Sequence, residues 1–202
     1  MLNFSEIPAH KNAFIFELDN VLIPQKDYDL QVYYLFANFV EYLETFPPAQ
    51  DALAFAKKRY EVHGNAQMFK ELAQTFGIDE KYDENLTLLF TNAKLPLKLL
   101  LYKEVLAFLQ ELVVNRKQIF ILTSENPVQQ LNKIKQTEWN GLDRYLKVYF
   151  SQEFGIDATK EALNYLMKEN QLKKEEVLMI GRKESNRVIA VESGIDYKEI
   201  IL

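Results

Sequence analysis

The stretch FIFELDNVL, residues 14–22, decides how this chain is read. With Ala13 ahead of it, an apolar run without polar alternation leads into Glu17, and an acidic pair, Glu17 and Asp19, stands where the run ends. So short and unbroken a run suits a strand covered on both faces, as in a parallel sheet. Functional groups of open parallel sheets gather beyond the carboxyl ends of the strands, so the acidic pair marks that edge as the place to look.

Working outward, the runs QIFIL (118–122), VYF (148–150) and VLMI (177–180) repeat the pattern, with IIL (200–202) as a weaker fifth. Amphipathic segments at 105–116, 128–137 and 160–170 lie between them, and alternating strands and helices predict an α/β fold: a doubly wound, Rossmann-like parallel sheet. Between the first strand and Leu99, about 75 residues hold no convincing strand, too many for a simple crossover. There Leu30, Tyr33, Tyr34, Ala37, Val40 and Tyr42 recur near helical spacing until Pro47-Pro48 stop the helix at about Phe46. Further helices are expected from near Ala49 to just before Gly64, on to about Gly77, and from about Glu80 to Ala93, ahead of Pro96. The organisation predicted is a small helical-bundle cap, residues 24–95, inserted into an α/β core made of 1–23 and 96–202. Tyr33, Tyr34, Phe36, Phe39 and Tyr42 are expected to fill the bundle interior, and Lys57-Lys58-Arg59 to form a solvated face.

Composition bounds the function. A chain of 202 residues has room for one α/β core and one small accessory domain, and its 48% hydrophobic and 26% charged residues are those of a globular protein. A net charge of -5 and a pI near 5.2 argue against nucleic-acid binding, which rests on clustered Lys and Arg. The absence of cysteine excludes disulfides, thiol catalysis and cysteine zinc sites. With no apolar run of signal-peptide or membrane-spanning character, a cytoplasmic location is expected. His10 and His63 are the only histidines and lie far apart, which rules out a multi-histidine zinc site and leaves a Ser-His-acid triad unsupported. Neither phosphate-cradling G-x-x-x-x-G-K nor dinucleotide-binding G-x-G-x-x-G occurs, so ATP and NAD are not indicated.

Four segments point to one sheet edge: Glu17 with Asp19, Thr123-Ser124, Lys160, and Gly181-Arg182. In this order they resemble the four motifs of the haloacid dehalogenase superfamily, and the insertion after the first strand is similar to that family's first cap type. The stretches LYKEVLAFLQEL, IFILTSENPVQQLNKIKQ and VLMIGRKESNRVIAVESGID carry the likeness across nearly the whole chain. The resemblance implies a first motif D-x-D-G-T, with a phosphoryl-accepting Asp followed by a general acid-base Asp. Here Glu17, Asp19, Asn20 and Val21 stand at those positions. It also implies a final motif G-D-S-x-x-D supplying magnesium-binding carboxylates, where this chain has Arg182 and Asn186. Thr123 and Lys160 match the residues that hold phosphate oxygens.

The departures predict a degenerate phosphatase site. The extra methylene of Glu17 displaces its carboxylate by about one C–C bond, and a misplacement on the order of 1 Å costs roughly a hundredfold in an oriented reaction. Magnesium needs near-octahedral oxygen coordination, and an arginine coordinates nothing. The expectation is that Arg182 or Lys160 pairs with Glu17, taking over the charge of the ion, in a protein that needs no cofactor. Such a pseudoenzyme would bind a phosphorylated small molecule or a protein partner. The alternative is a divergent phosphate monoester hydrolase with Glu17 as nucleophile or base, Asp19 as acid-base, Thr123 and Lys160 on the phosphate, and Glu184 as a substitute magnesium ligand. The oligomeric state is left open.

Overall fold

A computed structural model describes residues 2–155 and 158–200. Five strands, β1 (Ala13–Phe16), β2 (Gln118–Thr123), β3 (Leu146–Phe150), β4 (Val177–Gly181) and β5 (Asp196–Glu199), form one parallel sheet in the order β3-β2-β1-β4-β5. The helices follow in chain order as α1 (Gln25–Glu44), α2 (Ala49–His63), α3 (Met68–Phe76), α4 (Asp83–Asn92), α5 (Lys103–Val114), α6 (Pro127–Gln136), α7 (Ala158–Glu169) and α8 (Glu184–Glu192). The described residues divide into two compact units, one drawn from 1–24, 100–130 and 137–202, the other from 25–99 and 131–136.

In the sheet unit, Ile15 of β1 lies opposite Phe120 of β2 and Met179 of β4. Successive residues face opposite ways in a strand. Ala13 and Ile15 join a core with Phe120, Leu163, Leu166 and Met179, while Phe14 and Phe16 meet Phe108 of α5 edge-on at 5.9 and 6.2 Å. Both faces of β1 are therefore covered, which is why its sequence shows no polar alternation. The chain runs outward from β1 to β3 and then crosses back to β4, so the sheet's topological switch point falls between β1 and β4. Glu17 leaves the sheet at that point.

At the other end of the sheet, the buried ammonium of Lys11 donates to the carbonyls of Glu175 and Val177 at 2.7 and 2.9 Å and pairs with Asp196 at 2.6 Å. This one side chain gathers the starts of β1, β4 and β5. The fifth strand differs from the expectation. It is the polar stretch Asp196–Glu199, followed by buried Ile200, whose N–H donates to the Gly181 carbonyl at 3.0 Å. As an edge strand it has no need of a continuous apolar run. Of the stretch 200–202 read as a strand, Ile201 and Leu202 lie outside the described residues.

In the helical unit, Tyr28, Val32, Tyr33, Phe36, Ala37 and Val40 make the buried stripe of α1 at helical spacing. Two of the aromatics expected inside are on the surface instead, Tyr34 at 44% and Tyr42 at 85% exposure, because they fall off that stripe. The basic run is also not a uniform solvated face. Arg59 is buried, with Nε and Nη2 on the Glu71 carboxylate at 2.9 and 2.8 Å, Nη1 on the Gly64 carbonyl at 2.6 Å, and a further bond to the Ala66 carbonyl. A planar fork with several donors is suited to closing such a turn. No helix among the described residues is long and apolar enough to cross a membrane.

Candidate functional site

Just past β1, the Glu17 backbone N–H continues the ladder by donating to the Ile180 carbonyl at 3.2 Å. Its side chain is 3% exposed and reaches across to the turn between β4 and α8. There Oε2 accepts from the Arg182 N–H at 3.1 Å, the Lys183 N–H is shared between both oxygens at 3.3 and 3.4 Å, and Asn186 Nδ2 donates to Oε1 at 2.8 Å. The Tyr197 hydroxyl adds a longer bond to Oε1 at 3.4 Å. Four groups thus solvate one carboxylate, at the end of α8 where unsatisfied N–H groups and the helix dipole favour negative charge. Burial, and then the neighbouring Glu17 charge, push the Tyr197 phenol well above its usual range, so it stays a neutral donor.

The turn permits this only because residue 181 is glycine. A Cβ there would lie 2.1 Å from Glu17 Oε1 and 2.6 Å from the Tyr197 hydroxyl. The side chain of Glu17, about 1.5 Å longer than that of Asp, occupies the space directly over Gly181.

The chain then turns sharply. Asn20 adopts φ 59°, a left-handed conformation that asparagine tolerates better than most residues, and its N–H donates to the Ile23 carbonyl at 2.8 Å. This turn carries Asp19, whose Oδ2 accepts from Gln130 Nε2 at 2.7 Å. Gln130 is fully buried, and its Oε1 has no hydrogen-bond partner among the described residues. At the end of β2, Thr123 is buried, and the Ser124 hydroxyl accepts from Lys183 Nζ at 3.2 Å, while the same ammonium pairs with Glu125 at 2.8 Å. The space bounded by Glu17, Asp19, Thr123, Ser124, Lys183 and Asn186 has a volume of about 10 Å³. That is about what one water needs, and a phosphoryl group requires several times as much.

The structure thus brings Glu17, Asp19, Thr123 and Asn186 together, and it corrects the expected charge pairing. Arg182 is exposed and meets Glu17 through its main-chain N–H, not its guanidinium. Lys160 is not in the cluster: from the first turn of α7 it pairs with Glu192 at 3.3 Å, at the far end of α8 from Glu17. Glu184, weighed as a substitute metal ligand, is exposed and forks onto Arg187, which holds its carboxyl below the usual range. Gly181, which opens the last of the four segments, lies under Glu17 as described, while Lys183, Gln130 and Tyr197 complete the site and were not singled out in the sequence.

Magnesium, which the resemblance implies, does not fit these residues. Both Glu17 oxygens already accept donors, and positions 182 and 186 offer no carboxylate. Among the described residues no three His, Asp or Glu side chains gather closely enough to hold a cation.

With this geometry in place, comparison with known proteins adds the family. Residues 14–199 match the sequence model of the haloacid dehalogenase-like hydrolases. Among solved structures, the HAD-hydrolase YfnB from Bacillus subtilis, bound to magnesium, aligns with a TM-score of 0.63 at 15% identity, over 93% of this chain and 85% of that one. UTR4 protein from Saccharomyces cerevisiae aligns with a TM-score of 0.58 at 15% identity, over 93% and 89%. A hydrolase from Streptococcus pneumoniae aligns with 0.54 at 16%, over 94% and 92%. Identities this low speak for the fold alone. No protein of curated function matches the sequence.

Proposed function

We propose, from the premise that the chain belongs to the haloacid dehalogenase-like hydrolase family, that it is a binding protein built on that fold and turns over no phosphate ester. One observation carries this reading: the Glu17 carboxylate is spent on four donors over Gly181, beside a space of about 10 Å³. A nucleophile must hold an oxygen in line with a phosphorus atom at about 3–3.5 Å. Glu17 would have to give up its backbone partners to do so, leaving buried N–H groups unsatisfied at roughly 1–3 kcal/mol each. The same space disfavours a phosphorylated small molecule as ligand of the old cleft and leaves a protein partner, met through the surface, as the better reading.

Hydrolysis of an aryl phosphate by the wild-type chain and by Glu17→Ala, with and without magnesium, tests this. The expected result is no difference between the two proteins and no magnesium dependence. Magnesium-dependent turnover that disappears in Glu17→Ala would establish the divergent hydrolase instead.

A further inference from the structure

Strand β3 stands at one edge of the sheet and β5 at the other, and the two edges are built differently. Three of the four residues of β5, DYKE over 196–199, are charged, a common guard against the approach of another strand. Strand β3 reads LKVYF over 146–150, with one charge in five and with Val148, Tyr149 and Phe150 all strong strand formers. It pairs with β2 on one side, and among the described residues no strand pairs with its other side. Every second residue of β3 therefore turns its N–H and C=O outward.

Along that edge runs an open groove of about 650 Å³, formed by 147–150, by Glu153 and Phe154 just beyond the strand, and by Tyr165 and Glu169 of α7. Phe154 and Tyr165 have ring centroids 5.2 Å apart, Tyr149 and Tyr165 6.2 Å, and Tyr165 is 48% exposed. Both phenols donate to the Glu169 carboxylate, Tyr165 at 3.2 Å. That bond holds the Tyr165 phenol above its usual range, and burial followed by the same carboxylate does so for Tyr149, so both remain protonated donors. Donation to a carboxylate polarises a phenol and enriches its ring in negative charge, which is what a cation over the ring face senses. Glu153 and Glu169 are both exposed, while the ammonium of Lys147 donates to Asn170 Oδ1 at 2.6 Å. The groove thus combines an open backbone edge, a half-exposed electron-rich ring and two carboxylates against one lysine.

We propose that the occupant is an extended segment of a partner protein, which adds a strand beside β3 and lays one arginine side chain over Tyr165 against Glu153 and Glu169. In strand addition the main-chain bonds supply affinity and alternate side chains supply the choice. Lys147 and Tyr149 face α7, as their bonds to Asn170 and Glu169 show, so Val148 and Phe150 face the other way. On the α7 face, a basic side chain opposite Tyr149 meets Tyr165 and Glu169, whereas one opposite Lys147 meets a like charge. A single arginine therefore suits the groove better than a basic run. On the other face, Val148 and Phe150 favour β-branched or aromatic neighbours. Arginine is preferred to lysine because a guanidinium stacks on a ring and forks onto a carboxylate at once. The inference rests on the reading of the chain as a protein that works through its surface, and it gives the chemistry of the partner.

Fluorescence anisotropy of the full chain with a labelled peptide tests it, the peptide carrying one arginine among alternating valines and threonines. The same peptide with citrulline, the neutral isostere, is the control. The arginine peptide is expected to saturate in the micromolar range and the citrulline peptide to bind about tenfold more weakly, the worth of one hydrogen bond to a charged group. Glu153→Lys and Tyr165→Ala should each cost the arginine peptide about tenfold with unchanged circular dichroism, and Glu153→Lys should leave the citrulline peptide within about twofold, a contrast that loss of folding cannot produce. Amide hydrogen exchange should slow within 146–150 when the arginine peptide binds. Equal binding of the two peptides, indifference to Glu153→Lys, protection that spares β3, or no saturation by about 1 mM overturns the proposal. A concentration-dependent dimer in sedimentation velocity that Val148→Lys abolishes also overturns it, because a second copy then fills the edge. Aryl phosphate hydrolysis reads the old site separately. No peptide binding and no turnover sinks the docking edge alone, and magnesium-dependent turnover beside peptide binding sinks the non-catalytic reading alone.

Discussion

Replacing Gly181 by alanine is the sharpest perturbation of the site. The new methyl carbon would lie 2.1 Å from Glu17 Oε1 and 2.5 Å from its carboxyl carbon, against an ordinary contact of about 3.5 Å. The carboxylate must retreat by more than 1 Å or the turn must open, and the bonds from Asn186 at 2.8 Å and Arg182 at 3.1 Å do not survive such a move. Overpacking of this kind costs about 1–3 kcal/mol, and a hydrogen bond to a charged group is worth about 1.5–3 kcal/mol. Gly181→Ala should therefore destabilise the protein by about 3–5 kcal/mol, a large share of the roughly 5–15 kcal/mol that holds a domain folded. In Glu17→Ala the larger part of the clash is gone and only the Tyr197 hydroxyl, 2.6 Å from the new methyl carbon, has to move, so the second substitution should cost about 2 kcal/mol less there. Urea unfolding followed by circular dichroism, on the wild type, both single variants and the double variant at one protein concentration, gives the coupling directly. An interaction energy of roughly 2 kcal/mol or more is expected. Equal costs for Gly181→Ala in the two backgrounds would show that Glu17 does not lie over residue 181, and the argument from its four donors would fail.

Calorimetric titration with magnesium should show no isotherm for Arg182→Asp alone, because the Glu17 carboxylate stays tied to the β4–α8 turn, whereas Glu17→Asp with Arg182→Asp shortens the side chain and should gain one. Asn20→Ala should lower stability by about 1 kcal/mol and Asn20→Gly by less, since φ 59° strains a residue with a Cβ and no polar side chain. Equal melting temperatures for the two variants would contradict that. The Arg59 hydrogen bonds hold Glu71 below the usual glutamate value of about 4.5, against the opposing effect of burial. The stabilisation is thus present above that value and fades as pH falls through the lower folded-state pKa. The melting-temperature gap between wild type and Glu71→Gln should stay level from pH 7 to about 5 and narrow in more acidic buffer; a gap that widens on acidification would reverse the assignment.

Much of the fold was legible because burial on both faces leaves a mark: β1, β2 and β4 read as unbroken apolar runs, and α1 to α4 end close to their Pro and Gly signals. β5 left no such mark, since its Asp196, Tyr197, Lys198 and Glu199 belong to an edge. In the site, the position of Glu17 followed from its place at the end of a strand, but its partners did not. Two of them are main-chain N–H groups, which every residue but proline carries, so the arginine at 182 drew notice for a side chain that points elsewhere. Lys160 begins a helix as expected, but its register turns it toward Glu192. Gln130 was the most findable omission, a polar residue on the inward face of an amphipathic helix. The buried Arg59 is harder, because nothing local separates it from Lys57 and Lys58 beside it.

The staple at the opposite end of the sheet bears on how the chain is made. Lys11 finds its carbonyl partners 164 and 166 residues later in sequence, so on the ribosome it waits, hydrated, while all of that chain is made. Its burial has to wait until β4 and β5 have emerged. A ribosome-stalled chain ending before residue 175 would contain α1 to α7 and the first three strands but leave that ammonium in water, with the slow closure typical of contacts distant in sequence still to come.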